Sequence, residues 1–466
     1  MGDSGSDGPT AEEQDAPGGG SRAIVGWVMF DWAAQPYFTL ITTFVFAPYF
    51  VAHAVGDPVQ GQKLWGYAVA GAGAAVAVLS PVLGAIADAG GRRKPWIAAS
   101  SLLFAAGGIG LWWAVPGLPY GVLPVLAAFI AATVGAEVAA VFTNAMLPDV
   151  APPSRIGRIS GLGWAVGYMG GLTSLAVMLI LFLADPIAGR TVAGLAPLLD
   201  LDPAAFEGDR FSGPFSAIWY LVFVVPLFAF VPDRPHQARL SAAVVAGMKS
   251  LRATLVRLAA RGPIARYLVA RMIYTDGLSA LFAFGGAYAA ATFDWQAQQV
   301  GLFGVILIIA ATIGAGFGGR LDDRLGSRRL ILTSLVILAA AAIAILSVGR
   351  DHVGFVVSVT PADAGRLFNS MSELAYLAAG CVIGIVAGPI QSASRTLLVR
   401  LAPKEEITEY FGLYALVGKA TAFLGPLMIG AVTAATGSLR LGMSVILLFL
   451  VVGYALLKTV PDARAE

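Results

Sequence analysis

Six charged side chains stand inside long apolar stretches of this sequence: Asp31, Glu137, Arg271, Asp276, Glu373 and Lys419. A charge held away from water is expensive, and by default it marks function. Carboxylates and cations in one interior can bind a polar solute, pass a proton, or pair with each other and fix packing. Neutral polar groups accompany them. Gln35, Tyr37, Thr39 and Thr42 follow Asp31, and Tyr274, Thr275 and Ser279 surround Asp276. These groups suit the ammonium or carboxylate of a small solute. The residues offer no catalytic chemistry, because no nucleophile motif stands with a suitable base. His53, His236 and His352 are scattered and suggest no metal site. No Walker loop is present, which disfavours direct ATP drive, and no cofactor is expected. Gly314-Ala-Gly316-Phe-Gly318-Gly319 imitates a dinucleotide loop. It has no strand before it and lies in an apolar run, so it reads as a helix-packing face.

The elements that must position these charges follow from composition. Of the 466 residues, 58% are hydrophobic and only 12% charged, against about 25% charged in soluble domains. Such a chain needs lipid around it. A membrane-crossing helix takes roughly 20 apolar residues. Candidates fall near 24–50, 64–86, 96–115, 119–143, 159–184, 214–231, 266–290, 298–318, 329–348, 371–394, 410–433 and 439–458. The expected fold is an all-α membrane protein of twelve transmembrane helices in two six-helix bundles. The first bundle covers 23–232 and the second 266–460. A linker at 233–265, with an amphipathic helix carrying Arg239, Lys249, Arg252, Arg257 and Arg261, is expected to lie on the inner leaflet. Residues 1–22 and 461–466 are expected to be cytoplasmic tails, the first disordered. Cys381 sits alone in an apolar run as a packing residue.

Charge placement gives the orientation. With the N-terminus inside, 22 Lys and Arg fall on the cytoplasmic side and six on the other, with Arg395 counted among the 22. Both termini are therefore expected to be cytoplasmic, in the inner membrane of the cell. The net charge of +2 gives no reason to expect nucleic acid.

The two halves echo each other. Gly84-Ala-Ile-Ala-Asp88-Ala-Gly-Gly91-Arg92-Arg93 follows the second candidate helix. Gly319-Arg-Leu-Asp-Asp323-Arg-Leu-Gly326-Ser-Arg328-Arg329 follows the eighth. Each reads Gly, three residues, Asp, two residues, Gly, then paired Arg. Ala151-Pro152 before Gly161-Leu162 is matched by Ala402-Pro403 before Gly412-Leu413, and Asp31 by Asp276. Repeated halves around a central site are a common build of secondary transporters. In such loops Gly allows close approach, and Asp can cap a helix or pair with Arg. These contacts hold one conformation and must break for the other. Gly84, Asp88, Arg92, Arg93, Asp323, Arg328 and Arg329 are therefore expected to form a conformational gate.

These loops look like the signature of the major facilitator superfamily. Phe30-Asp31-Trp32-Ala33, Asn144-Ala-Met-Leu-Pro148-Asp149, Gly161-Leu-Gly-Trp-Ala-Val-Gly-Tyr168, Tyr274-Thr-Asp276-Gly277 and Phe411-Gly-Leu-Tyr-Ala-Leu-Val-Gly-Lys419 resemble its vacuole-effluxer-like branch, as a bacterial member. The resemblance implies that the first, fourth, seventh and tenth helices line a cavity and the third, sixth, ninth and twelfth face lipid. It also implies export of small metabolites, amino acids among them, and places Asn144 near the cavity. This chain has Ala34-Gln35-Pro36 where relatives read Asn-Ser after Asp-Trp-Ala, and Thr143 where relatives often carry Tyr.

The costly charges fall on the first, fourth, seventh, tenth and eleventh helices. Asp31, Glu137, Asp276 and Lys419 lie about 10–15 Å in from the cytoplasmic end at 1.5 Å per residue. Glu373 is nearer the outside and is expected to reach interfacial water. Arg271 either snorkels to the headgroups or joins the interior set. Counted together, Asp31, Glu137 and Asp276 exceed Arg271 and Lys419 by one negative charge, so one carboxylate is expected to hold a proton. The candidate binding and coupling set is Asp31, Gln35, Tyr37, Glu137, Asn144, Arg271, Asp276 and Lys419. The expected function is proton-coupled secondary transport of a small polar solute by a monomer in the lipid bilayer. A drug exporter and a transporter-like receptor of the same fold are the alternatives.

Overall fold

The computed structural model describes residues 20–260, 262–360 and 367–462. All but the last three residues of the expected N-terminal tail, and all but the first two of the C-terminal one, lie outside these. Arg261 and Arg464 lie outside them too. The chain is helical almost throughout. Its helices are α1 (Ser21–Ala54), α2 (Pro58–Gly90), α3 (Lys94–Trp113), α4 (Val122–Ala145), α5 (Pro153–Leu181), α6 (Glu207–Phe230), α7 (Leu240–Ala260), α8 (Gly262–Phe293), α9 (Ala297–Leu325), α10 (Ser327–Ser347), α11 (Met371–Leu401), α12 (Lys404–Thr436) and α13 (Leu439–Lys458). A hairpin of β1 (His352–Val353) and β2 (Val357–Ser358) sits between α10 and α11. Among the described residues, eleven helices are long and apolar enough to cross a membrane. The twelfth is α8. It is 32 residues long and is made less apolar by Arg266, Arg271 and Asp276. Helix α7 is the linker.

Local chemistry sets the ends. Asp57 starts α2 by accepting the Val59 N–H at 2.9 Å. Gly91 ends α2 at φ +87°, a conformation open to glycine, which turns the chain back toward Arg93. Helix α1 is irregular. Pro36 lies inside it, and π-helical turns follow over Tyr37–Phe44 and Phe50–Ala54. Proline supplies no N–H to the ladder, and π-turns are frequent at functional sites.

Two apolar cores result, one within α1–α6 and one within α8–α13 that also takes in Val141 and Ala145 of α4. The bundles meet closely at the end that carries the first and last described residues, Gly20 and Asp462, the arginine-rich end. Glycines make this possible. A Cβ on Gly161 of α5 would fall 2.6 Å from the Ala315 carbonyl of α9, and one on Gly84 of α2 would fall 2.5 Å from the Thr408 carbonyl of α12. Toward the other end, nothing lies within 4 Å of a Cβ placed on Gly66 or Gly73 of α2 or Gly430 of α12.

Two expectations need correction. Arg395 is not in a loop: α11 runs on to Leu401, and the arginine is 3% exposed inside it. Glu373 does not reach interfacial water. It is 1% exposed, closes the capping box with Ser370 at the start of α11, and accepts the Trp295 indole N–H at 2.7 Å.

Candidate functional site

The polar groups between the bundles form layers, and the first is at the arginine-rich end. Asp88, near the end of α2, accepts the N–H groups of Thr408 (2.8 Å) and Glu409 (2.9 Å) at the start of α12. Asp323, near the end of α9, accepts those of Gly157 (2.7 Å) and Arg158 (2.9 Å) at the start of α5. Each carboxylate caps a helix of the opposite bundle. The orphan N–H groups and the positive end of the helix dipole both favour a negative charge there.

The arginines of the repeated loops do unequal work. Arg93 is 1% exposed. It donates to Thr408 Oγ1 (2.9 Å), to the Ala145 carbonyl (3.0 Å) and to Asp149 (2.6 Å), and it stands 3.6 Å from Asp88. Arg234, from the linker, pairs with Asp149 at 3.1 Å and reaches the Lys404 carbonyl at 3.4 Å. Arg92 is exposed. Arg328 donates to the Lys458 carbonyl at 2.6 Å, and Arg329 pairs with Asp462 at 3.1 Å, both within one bundle. Arg400 supports the second loop, 3.3 Å from Asp322 and 3.8 Å from Asp323.

Deeper in, Arg395 of α11 enters the first bundle. It donates to Ser160 Oγ (2.9 Å), the Ser160 carbonyl (2.6 Å) and Asn144 Oδ1 (2.9 Å), and it pairs with Asp31 at 3.3 Å. Its guanidinium lies 4.6 Å from the Trp27 ring centre, a cation–π contact. The Trp27 indole donates to the Thr143 carbonyl at 2.7 Å. Behind Arg395, Ser394 takes part in hydrogen bonds with Tyr274 (2.6 Å) and, through its carbonyl, Tyr267 (2.5 Å).

The next layer holds the second crossing ion pair, Glu137 of α4 with Lys419 of α12 at 2.6 Å. Tyr168 and Gln391 also meet across the interface at 2.6 Å. Tyr37 shares a hydrogen bond with Thr133, one turn before Glu137, at 2.6 Å. Gln35 packs beside Gly171 of α5. The Lys419 and Glu137 side chains are 34% and 19% exposed, whereas Arg395 is 4% exposed. The Asp31 side chain is 23% exposed, so both pairs keep a partly exposed carboxylate, and of the two cations Lys419 is partly exposed while Arg395 is buried.

Arg271 and Asp276 remain within the second bundle. Arg271 does not snorkel. Its guanidinium stacks 3.2 Å from the Tyr414 ring centre and donates to the Tyr414 carbonyl at 2.8 Å. Asp276 is 3% exposed, with Thr421 and Arg271 nearby. No ion-pair partner lies within 4.0 Å of it among the described residues. The structure thus brings Asp31, Asn144 and Arg395 together, and Glu137 with Lys419, but not all five expected charges in one cluster. With Arg395 counted, three cations balance three carboxylates, and the expected surplus of one negative charge disappears. Arg395 had a signal in the sequence. Gln391, Ser392 and Arg395 fall on one face at 100° per residue, and no turn residue interrupts the helix before Ala402-Pro403.

The interface between the bundles thus holds side chains of both signs of charge, in pairs that cross it. The matches to known proteins are to membrane transporters. A family model described as vacuole effluxer Atg22 like matches residues 64–466. The MFS-type transporter YxiO of Bacillus subtilis is 24% identical over 443 residues, 94% of each chain. Autophagy-related protein 22 of Cryptococcus neoformans is 26% identical over 319 residues, 66% of this chain and 53% of that protein, so the match spans about half of the fungal relative. Among solved structures, the major facilitator superfamily transporter FucP in its outward conformation superposes with a TM-score of 0.67 at 16% identity, covering 96% of this chain and 98% of that one.

Proposed function

The chain belongs to the vacuole effluxer Atg22-like family of membrane transporters, and we propose that it is a secondary active transporter moving a small polar solute, amino acids foremost, by alternating access. Family and fold are those of transporters rather than enzymes. The observation that carries the reading is the pair of ion bridges crossing the bundle interface, Asp31–Arg395 and Glu137–Lys419. An intramembrane charge pair that only fixed packing would serve as well within one bundle. Pairs that join two bundles can be replaced by a solute, and their replacement lets the bundles move.

The arginine-rich end is the cytoplasmic face in this reading, with both termini inside the cell and the protein acting as a monomer in the inner membrane. The rule that positive charge stays inside supports this side. The present conformation is then closed toward the cytoplasm. Rocking of the bundles breaks the Asp88 and Asp323 caps and opens that side. The solute engages Lys419 as the more accessible cation, with the part-exposed carboxylates of Glu137 and Asp31 beside it, and so loosens the bridges to Lys419 and Arg395.

Asp276 is the proton carrier in this account. Asp31 and Glu137 each have a cation at ion-pair distance, whereas Asp276 is buried without one. A buried carboxylate lacking a partner is the cheapest to protonate. The test is solute flux into liposomes under an imposed pH gradient, for wild type and for Asp31→Asn, Glu137→Gln and Asp276→Asn. Gradient dependence is expected to vanish in Asp276→Asn alone. Unchanged gradient dependence in all three variants rejects proton coupling through this set.

A further inference from the structure

We propose that the linker helix α7 is a membrane-surface latch, which seats on anionic lipid headgroups and by doing so holds the arginine-rich end closed. The proposal rests on the reading that this end faces the inner leaflet. Three observations carry it.

The first is that α7 touches both halves of the gate. Its inner face packs on the end of α2, where a Cβ on Gly247 would fall 2.8 Å from Ala85 and one on Gly90 would lie 3.6 Å from Ala243. From the same face, Ser250 donates to Glu409 Oε2 at 3.0 Å, with Thr254 beside that carboxylate. Glu409 is 1% exposed, and its backbone N–H is one of the two that Asp88 accepts. Helix α7 comes from the first bundle's side of the linker, yet it holds the capped start of α12 in the second. Movement of α12 away from α2 must break the Ser250 contact.

The second observation is an apolar face that the described residues leave exposed. Leu240, Val244, Val245, Met248, Leu255 and Val256 are 62%, 39%, 71%, 45%, 51% and 72% exposed. At 100° per residue they form one stripe down the flank of the helix. The stripe adjoins the last turns of α2, a membrane-crossing helix, so it stands where hydrocarbon gives way to headgroups. The third observation is charge. Arg252 lies within the stripe and Lys249 borders it, Arg239 precedes it, and Leu240–Ala260 contains no Asp or Glu. An apolar stripe whose only charges are cations matches an interface rich in anionic lipid, where each basic residue near the surface adds about 1 kcal/mol of attraction.

The test uses full-length protein in phosphatidylcholine vesicles with and without phosphatidylglycerol. Spin labels at Ala89→Cys and Lys404→Cys, in a Cys381→Ser background, read the separation of α2 and α12. A separate label at Met248→Cys reads depth from oxygen accessibility. Phosphatidylglycerol is expected to raise the short-distance population by about fivefold for each basic residue engaged and to bury the Met248 label in the bilayer. Lys249→Glu with Arg252→Glu should remove both responses. The milder Lys249→Gln with Arg252→Gln should reduce both and serves if the first pair fails to fold. Ser250→Ala should keep the depth response and lose the distance response. A wild-type distance distribution identical in the two lipids overturns the latch, and so does a Met248 label that stays in water. Both readouts are taken without solute, so failure of transport leaves the outcome readable.

Discussion

Asp88 and Asp323 hold matching places in the two halves, and each caps a helix of the opposite bundle with two N–H···O bonds. Their surroundings differ. Beside Asp88 stands buried Arg93, which ties α2, α4 and α12 together through Asp149, Ala145 and Thr408. Beside Asp323 the loop's own arginines turn away, toward Lys458 and Asp462 of their own bundle, and Arg400 of α11 supplies the cation at a longer 3.8 Å. A duplicated motif has kept its carboxylate in both copies and its interface arginine in one. The carboxylate does the same work twice because a helix start looks alike in either bundle. The arginine depends on what lies across from it, and that differs between the halves.

Arg93→Ala should break this comparison most strongly. It strands the buried Asp88 carboxylate, whereas Asp149 is part-exposed and keeps Arg234 at 3.1 Å, and removing one member of a buried pair costs about 3–5 kcal/mol. Loss of the closed population, read from spin-label distances across the arginine-rich end, is the expected outcome. Asp88→Asn comes next and should weaken closure by about 1–2 kcal/mol, the size of a lost charged cap. Asp323→Asn should weaken it by about 1 kcal/mol, since Asp322 and Arg400 remain in place. Equal effects of the two Asn variants, measured by the same distances, would show that the arginine support does not matter. Arg328→Ala should be smallest, within about 0.5 kcal/mol in thermal unfolding, because its contacts stay within one bundle near the surface.

The repeat made the positions of Asp88 and Asp323 visible in the sequence, because a fixed spacing that occurs twice is hard to reach by chance. The helices were visible from apolar length alone, although Arg266, Arg271 and Asp276 made α8 the least apolar of the twelve. Arg395 was hidden by the same rule that found the helices. Charge was used to end a membrane helix, and here the charge lies inside one, held by Asp31, Asn144 and Ser160. Pairing was not legible either. Asp31 meets a residue 364 positions away, and Glu137 meets Lys419 across two bundles. No local pattern encodes such partners. The Ser370-x-x-Glu373 capping box is a local pattern, but the burial of Glu373 is not, because it needs the indole of Trp295, 78 positions away, to close over the other carboxylate oxygen.

The central claim is that closing one end of the interface opens the other. The most direct measurement takes two distances in one protein by electron spin resonance. One spans Ala89 and Lys404 at the arginine-rich end, and the other spans Tyr67 and Leu427 at the opposite end. Comparison is between the Asp88→Asn/Asp323→Asn double variant and its parent. The account predicts that the first distance lengthens while the second shortens. If neither moves, or both lengthen together, the two bundles do not rock about this site.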